Sequence, residues 1–283
     1  MNLLDPTFVQ KWRGAFSLGW MLLLLLWESA LPFHRAFQNS NDRGRHGLRN
    51  ILIGLVNGLM TASIFVATWK GIADQAESHQ FGLLHRSGLS GPLRLIFALL
   101  LFDLWTYLWH RAGHQLPHLW LFHRMHHSDA QMDVTTSNRF HLVEILLSSL
   151  LRILLIPLLG ITFLELVIYE TLLQFIVQLQ HTNVVLPCSI ERGLRVLWVT
   201  PLMHKIHHSK DPRETDSNFA SLFSFWDRLF GTFKLRKQPE TLQLGLDGFD
   251  TSSFQDLRGL WLTPFRKPEV NAPTDPPRRS AKL

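Results

Sequence analysis

The chain has a single cysteine among 283 residues. That excludes an intramolecular disulfide and any zinc or iron–sulfur site built on several thiolates. Charged residues are scarce, at 18%, while apolar ones reach 46%. Disorder along the whole length is therefore excluded, because disordered chains are poor in apolar residues. There is no G-x-G-x-x-G stretch and no C-x-x-C-H, so neither a dinucleotide fingerprint nor a haem-attachment motif is present. A net charge of +6 would suit a nucleic-acid binder, but the apolar residues are gathered into long blocks, and no nucleic-acid partner is expected.

Those blocks have the length of membrane spans, which need roughly 20 mostly apolar residues. Residues 14–33 carry Glu28 as their only charge. Residues 48–69 carry Arg49 at one edge, and 93–109 include Arg94 and Asp103. Two further runs, 142–160 and 161–179, flank Pro157 and Gly160 and read as a helical hairpin that enters and leaves on one side. The first block is followed by Pro32-Phe33-His34-Arg35 with no small-residue cleavage site, and reads as an uncleaved anchor. The fold class expected is an all-α integral membrane bundle of about three spans plus the hairpin, with a cytosolic histidine-rich helical cap.

Orientation follows from Arg35, Arg43, Arg45 and Arg49, which stand between the first two blocks against one acid, Asp42. The positive-inside rule puts that loop in the cytoplasm. Residues 70–92 then lie outside, and the third block returns to the cytoplasm near His110. A hairpin that starts there also ends there, so everything after His181 is expected to be cytoplasmic, at a bacterial inner membrane. Residues 1–92 are the expected anchor, 93–235 the catalytic region and 236–283 a C-terminal segment. That segment is proline-rich and expected to be disordered from about 264.

Histidine is the residue in excess. Nine of the 15 fall in two short windows, 110–127 and 204–208. They spell His110-x-x-x-His114, His123-x-x-His126-His127 and His204-x-x-His207-His208. On a helix, residues three and four apart share a face, so each box is expected to present its imidazoles together. Neutral imidazole is the commonest metal-ligand side chain, and a metal holds crowded imidazoles neutral. Eight box histidines exceed the ligands of one tetrahedral zinc, which points to two metals. His141 and His181, at the two ends of the hairpin, extend the candidate ligand set to ten. His34, His46, His79, His85 and His118 stand alone and read as ordinary core or surface residues.

Polar stripes accompany the boxes. Asp103, Tyr107, His110 and His114 lie on one helical face, as do Glu170, Gln174, Gln178 and His181, and Glu144 follows His141 by three. An ionisable residue inside an apolar block should face a partner. For Asp103 that partner is either a ligating imidazole, oriented by the carboxylate, or a hydrogen bond within the bundle. Lys205, Lys210, Arg213 and Arg228 could form a basic face for an acidic electron carrier or for anionic headgroups.

The order of these motifs between about residues 93 and 233 resembles the fatty acid hydroxylase / sterol desaturase superfamily. That pattern has an H-x-x-x-H box, an H-x-x-H-H box, histidines flanking a hairpin and a final H-x-x-H-H box. The Asp103, Tyr107, His110-Arg111 stretch, Pro117, and Asn218 followed by Trp226-Asp227-Arg228-Leu229-Phe230-Gly231-Thr232 are also similar. The chain departs from the pattern at Leu142, where proline is common, and at Phe219-Ala220, where Tyr-Gly is common. The resemblance implies two iron ions, replaceable by zinc in a purified protein, held by His110, His114, His123, His126, His127, His141, His181, His204, His207 and His208. Asp103, Tyr107, Glu144 and Asn218 are the expected supporting residues.

It further implies hydroxylation or desaturation of a lipid-like substrate (sterol, fatty acyl chain, carotenoid or ether lipid) with O2. Imidazole ligation by itself also suits zinc, copper or nickel. Since the chain has no electron carrier of its own, a separate donor of reductase, ferredoxin or cytochrome type is expected. Two other classes fit part of the pattern: a histidine-rich metal transporter or storage protein, and a bis-histidine haem protein.

Overall fold

The structure, a computed structural model, describes residues 6–269, with side chains from residue 12 onward. Among the described residues there are helices and isolated bridges but no strands, and the fold is an all-α membrane bundle. The long elements are α1 (Pro6–Ala30), α2 (Ser40–Thr61), α3 (Ala67–Ser78), a short α4 (Leu83–Arg86), α5 (Gly91–Gln115), α6 (Pro117–His127), α7 (Leu142–Leu159) and α8 (Phe163–His181). Short α9 (Cys188–Leu194) and α10 (Pro201–His207) follow.

Among the described residues, four stretches are long and apolar enough to cross a membrane: Ser40–Arg86, Gly91–Gln115, Leu142–Leu159 and Phe163–His181. Their outward faces carry exposed leucines such as Leu55, Leu59, Leu150, Leu154 and Leu158, as expected of helices whose solvent is lipid. α1, expected as the first span, is not among the four; it lies along α8, where Trp20 Nε1 donates to the Phe175 carbonyl (3.1 Å) and Gln178 Nε2 to Ser17 Oγ (2.9 Å). The outside loop expected over residues 70–92 begins late: the helix of α2 runs on into α3 through a π-helical turn at Ala62–Val66, and ends only at Ser78. Nothing in 62–78 breaks a helix, because Gly71 alone is tolerated.

Both arms of the hairpin are full-length helices. Pro157 sits inside the last turn of α7, and Gly160 closes it with φ 70°, a left-handed conformation that glycine adopts at little cost. Thr162 then caps α8 in a reciprocal box with Glu165. Arg94 of α5 fastens this turn, through Glu165 (2.8 Å) and the Gly160 carbonyl (2.8 Å). The turn marks one end of the bundle. The opposite end, where α5 and α8 finish and α7 begins, collects α6, α10 and the loops after them.

The C-terminal segment also closes on that end. Thr263–Phe265 forms a 3-10 turn against α6, and Arg124 donates to the Thr263 (2.6 Å) and Arg266 (2.8 Å) carbonyls. The chain is thus packed through the region where disorder was expected to start; residues 270–283 lie outside the described residues.

Candidate metal centre

Pro117 begins α6 directly after α5 ends at Gln115, so the chain folds back and sets the second box against the first. The third box enters on α10, whose first turn is capped by Thr200. Two groups result. His110 and His114 (α5), His123 and His127 (α6) and His207 (α10) form one. His126 (α6), His181 (α8), His204 (α10) and His208 form the other. Within each group, ligand nitrogens lie within 4.8 Å of one another. The groups abut: the His127 and His208 rings stack with centroids 4.3 Å apart.

Each H-x-x-H-H box is therefore divided between the groups, contrary to the single shared face expected. Residues four apart on a helix differ by about 40° in direction, while those three apart differ by about 60° the other way. His123 and His127 consequently point together, and His126 points to the neighbouring group. His204, His207 and His208 are split in the same manner.

Second-nitrogen contacts fix several rings. His110 Nδ1 donates to the Phe219 carbonyl (2.7 Å), His207 Nδ1 to Ser217 (2.7 Å), His181 Nδ1 to Val177 (2.6 Å) and His123 Nδ1 to Glu144 Oε1 (2.8 Å). Those partners place the proton on Nδ1 and leave Nε2 bare, the form a metal takes. In the second group the Nε2 atoms face one another. His181 Nε2 stands 3.1 Å from His126 Nε2 and 3.0 Å from His204 Nε2, which is 3.2 Å from His208 Nε2. Such a chain of nitrogens cannot be satisfied by N–H donors alone. The Nε2 atoms of His110, His114 and His207 have no hydrogen-bond partner, while His114 Nδ1 lies 3.4 Å from Asp216 Oδ1. A cation in each group meets these bare nitrogens, so the residues present fit a pair of metal ions.

Electrostatics agree. Burial, followed by the neighbouring imidazoles, pushes the pKa values of His126, His127, His204 and His208 well below the ordinary value. Burial takes His207 to about 3. These rings are neutral in the folded chain, whereas in the unfolded chain they take up protons below about 6.5. Stability contributed by the neutral cage is thus complete above that value and lost as the pH falls below it. Thermal unfolding of metal-free protein is expected to occur at steadily lower temperature from pH 7 to pH 5; an unchanged midpoint would contradict the burial of these rings.

The remaining expected residues are distributed as follows. His141 is in neither group. Its Nδ1 accepts from Val143 N (3.2 Å), capping α7, and its Nε2 faces the Trp261 carbonyl (3.2 Å). Its ring packs between Phe122 and Trp261, at centroid distances of 5.1 and 5.4 Å. His141→Ala is expected to leave bound metal unchanged and to cost about 1 kcal/mol of stability, the worth of a cap; loss of metal on titration with a chelator would restore it to the ligand set.

Asp103 touches no histidine: it accepts from Tyr169 Oη (3.0 Å), Phe223 N (3.0 Å) and Trp226 Nε1 (2.9 Å), a knot between α5, α8 and the 223–226 turn. Tyr107 Oη pairs with Thr232 Oγ1 (2.9 Å). Glu144 does touch the cage, through His123. Asn218 acts through backbone. At φ 52°, its Nδ2 donates to the Met203 (3.1 Å) and Lys234 (2.9 Å) carbonyls, which holds the strap bearing the Ser217 and Phe219 carbonyls.

Of the four residues expected to make a basic face, Lys205 is buried, while Arg213 and Arg228 are exposed. Lys205 is 1% exposed, bonded to the Thr182 carbonyl, and burial lowers its pKa to about 8. Lys210 pairs with Asp247 and Asp250, Arg213 with Asp211, and Arg228 turns to the Arg195 carbonyl.

Sequence reading missed the support beneath the second box. Asp129, 1% exposed, accepts from His46 Nε2 (2.9 Å) and Thr136 Oγ1 (2.7 Å) and lies 3.8 Å from the Arg139 guanidinium. The signal was available only as an acid two residues beyond His127, which is too common to single out.

A bundle of membrane helices that closes one end over two groups of buried imidazoles defines a class of membrane protein equipped to hold metal ions. Residues 95–232 match the family model described as fatty acid hydroxylase, and this region of the chain belongs to that family. Among characterised relatives, the chain is 25% identical to an ornithine lipid hydroxylase of Rhizobium tropici, over 84% of its own length and 71% of the relative's. It is 32% identical to an alkylglycerol monooxygenase of Danio rerio over 46% of its length, and 26% identical to human cholesterol 25-hydroxylase over 51%. These last two matches take in 28% and 53% of the relatives' lengths. No solved structure matches.

Proposed function

We propose that the chain is a membrane-bound oxidoreductase that holds one iron ion in each histidine group and uses O2 and external electrons to hydroxylate, or desaturate, a C–H bond of a lipid-like substrate. The observation that carries this reading is a cavity of about 360 Å³ that runs from His110, His123, His126, His181 and His204 into the bundle between α2, α5, α7 and α8. Both groups thus open on one space at membrane depth. Iron, when bound, supplies the redox chemistry with O2 that zinc lacks.

The chain's own residues do the rest. Glu144 and the Phe219, Ser217 and Val177 carbonyls orient ligand rings, which keeps Nε2 bare and aimed inward. Burial of the cage excludes bulk water from a reactive centre. Trp69, Trp105 and Phe163 in the cavity wall hold an alkyl portion of the substrate. The relatives' names, all lipid hydroxylases or monooxygenases, favour oxygen insertion over desaturation. With one cysteine and no dinucleotide motif, electrons come from a separate reductase, ferredoxin or cytochrome.

The cage and the C-terminal region face the cytoplasm in this reading. Arg43 and Arg49, from the arginine-rich loop, bond to Glu28 and to the Gln255 carbonyl at the cage end, so the positive-inside rule applies to the cage directly. Expression in a lipid-defined host under ¹⁸O2, with mass spectrometry of extracted lipids, tests the reaction. A lipid bearing one ¹⁸O atom, or one lacking two hydrogens, is expected only where the chain is intact. Lipids identical to those of the empty host would sink the reading.

A further inference from the structure

The cavity beside the cage is not the plain slot that an unsubstituted hydrocarbon would fit. Leaving the histidines aside, its wall holds four buried polar atoms with no hydrogen-bond partner: the acceptors Asn57 Oδ1, Glu144 Oε2 and Gln180 Oε1, and the donor Arg152 Nε. The amide of Asn57 is oriented by its Nδ2, which donates to the Phe140 carbonyl (2.8 Å), so Oδ1 is the atom left over. Asn57, Glu144 and Gln180 are 7%, 8% and 2% exposed. Each buried acceptor left unmade costs about 1–3 kcal/mol, more than a membrane bundle would accumulate three times beside one void without use.

Besides Glu144, the charged groups of the wall are Arg13 of α1 and Arg152 of α7, and Arg152 pairs with Glu170 of α8 at 2.6 Å. The pair lies eleven residues before His181 on α8, about 16 Å at 1.5 Å per residue. Glu144 lies at the cage itself, since its other oxygen holds His123. The unmet demand near the cage is therefore for hydrogen-bond donors.

We propose that this cavity takes the hydrogen-bond-donating polar part of an amphiphile, an amine, amide or alcohol, next to the cage. The carbon attacked then lies beside that polar group, and not far along an alkyl chain. This rests on reading the cage as an oxygenase centre, and it narrows the substrate class. Asn57, Glu144 and Gln180 accept from the donor group, while the tryptophans of the wall hold the alkyl part.

Full-length protein in phosphatidylcholine nanodiscs under argon, where no turnover occurs, can be titrated with dodecylamine, 1-dodecanol and dodecane at matched amounts in the bilayer. Fluorescence of Trp69, Trp105 and Trp109, all in the wall, reports occupancy. The amine and the alcohol are expected to bind about tenfold tighter than dodecane, the equivalent of one buried acceptor satisfied. The variant Asn57→Leu/Gln180→Met is expected to lose that preference while binding dodecane no more weakly. Equal affinity for the three probes, the sign of a cavity filled by water or plain hydrocarbon, overturns the proposal, as does a preference that survives in a folded double variant. If the variant fails to fold by circular dichroism, the wild-type comparison alone decides. Failure of the oxygenase reading shows elsewhere, as absent iron or absent ¹⁸O, and leaves these isotherms intact.

Discussion

His207→Ala and His126→Ala are each expected to lower turnover by about a hundredfold or more, with membrane insertion unchanged. Even the loss of a group that merely orients a metal ligand costs 10–100-fold in affinity or activity, so loss of the ligand costs at least that. The two changes strike different groups: His207 belongs with His110, His114, His123 and His127, and His126 with His181, His204 and His208. Each variant is thus expected to retain one metal ion and to lose the other. Neither residue lies in a membrane-spanning helix, so insertion has no reason to fail. His79→Ala provides the control, because His79 is exposed at the end of α3 and far from the cage in the fold. Full turnover in His126→Ala, or loss of both ions in either variant, would show that the groups are not two separate sites.

Asp129→Ala is expected to be the most destabilising single change outside the cage, by about 3–5 kcal/mol, because it strands two buried partners, His46 and Arg139. Burial alone would raise the Asp129 pKa. His46, Arg139 and hydrogen bonds from His46 and Thr136 outweigh it and hold the carboxylate well below its usual range. Arg139 is itself 1% exposed, and its guanidinium also donates to the Met125 carbonyl (3.0 Å) and Ser128 Oγ (2.7 Å), both on the stretch that carries the second box. The damage should therefore spread to His126 and His127. Asp129→Asn keeps acceptor and shape and is expected to lose less. Thermal unfolding in detergent, followed by circular dichroism, ranks the three proteins; an Asp129→Ala midpoint equal to wild type would contradict the account of this network.

Much of the site could be read from spacing, because a metal cage imposes its own periodicity. The three boxes announce themselves at intervals of three and four residues, and the bundle is legible in uncharged runs such as 20–27. What spacing could not supply was direction at a resolution finer than a helical face. It put three imidazoles of each box together, whereas a difference of about 100° between adjacent residues divides them between two groups. Nor could it tell which flanking histidine joins a group: His141 and His181 stand symmetrically at the hairpin ends, yet only His181, at a helix C-terminus, lies with His126, His204 and His208.

Asp103 shows the same limit for carboxylates. Its face was evident, but its partners, Tyr169, Phe223 and Trp226, lie more than 60 residues away in sequence. The basic stretch shows it too: Lys205 is buried and Lys210 finds Asp247 and Asp250 once the chain closes, while Arg213 and Arg228 stay exposed.

Iron counted per chain, after anaerobic addition of ferrous ion to metal-free protein and removal of the excess, bears most directly on the two-group cage. Two equivalents bound, falling to one in both His207→Ala and His126→Ala, are the outcome expected of five imidazoles around one ion and four around the other. One equivalent in the wild type, or none while zinc binds in pairs, would contradict it.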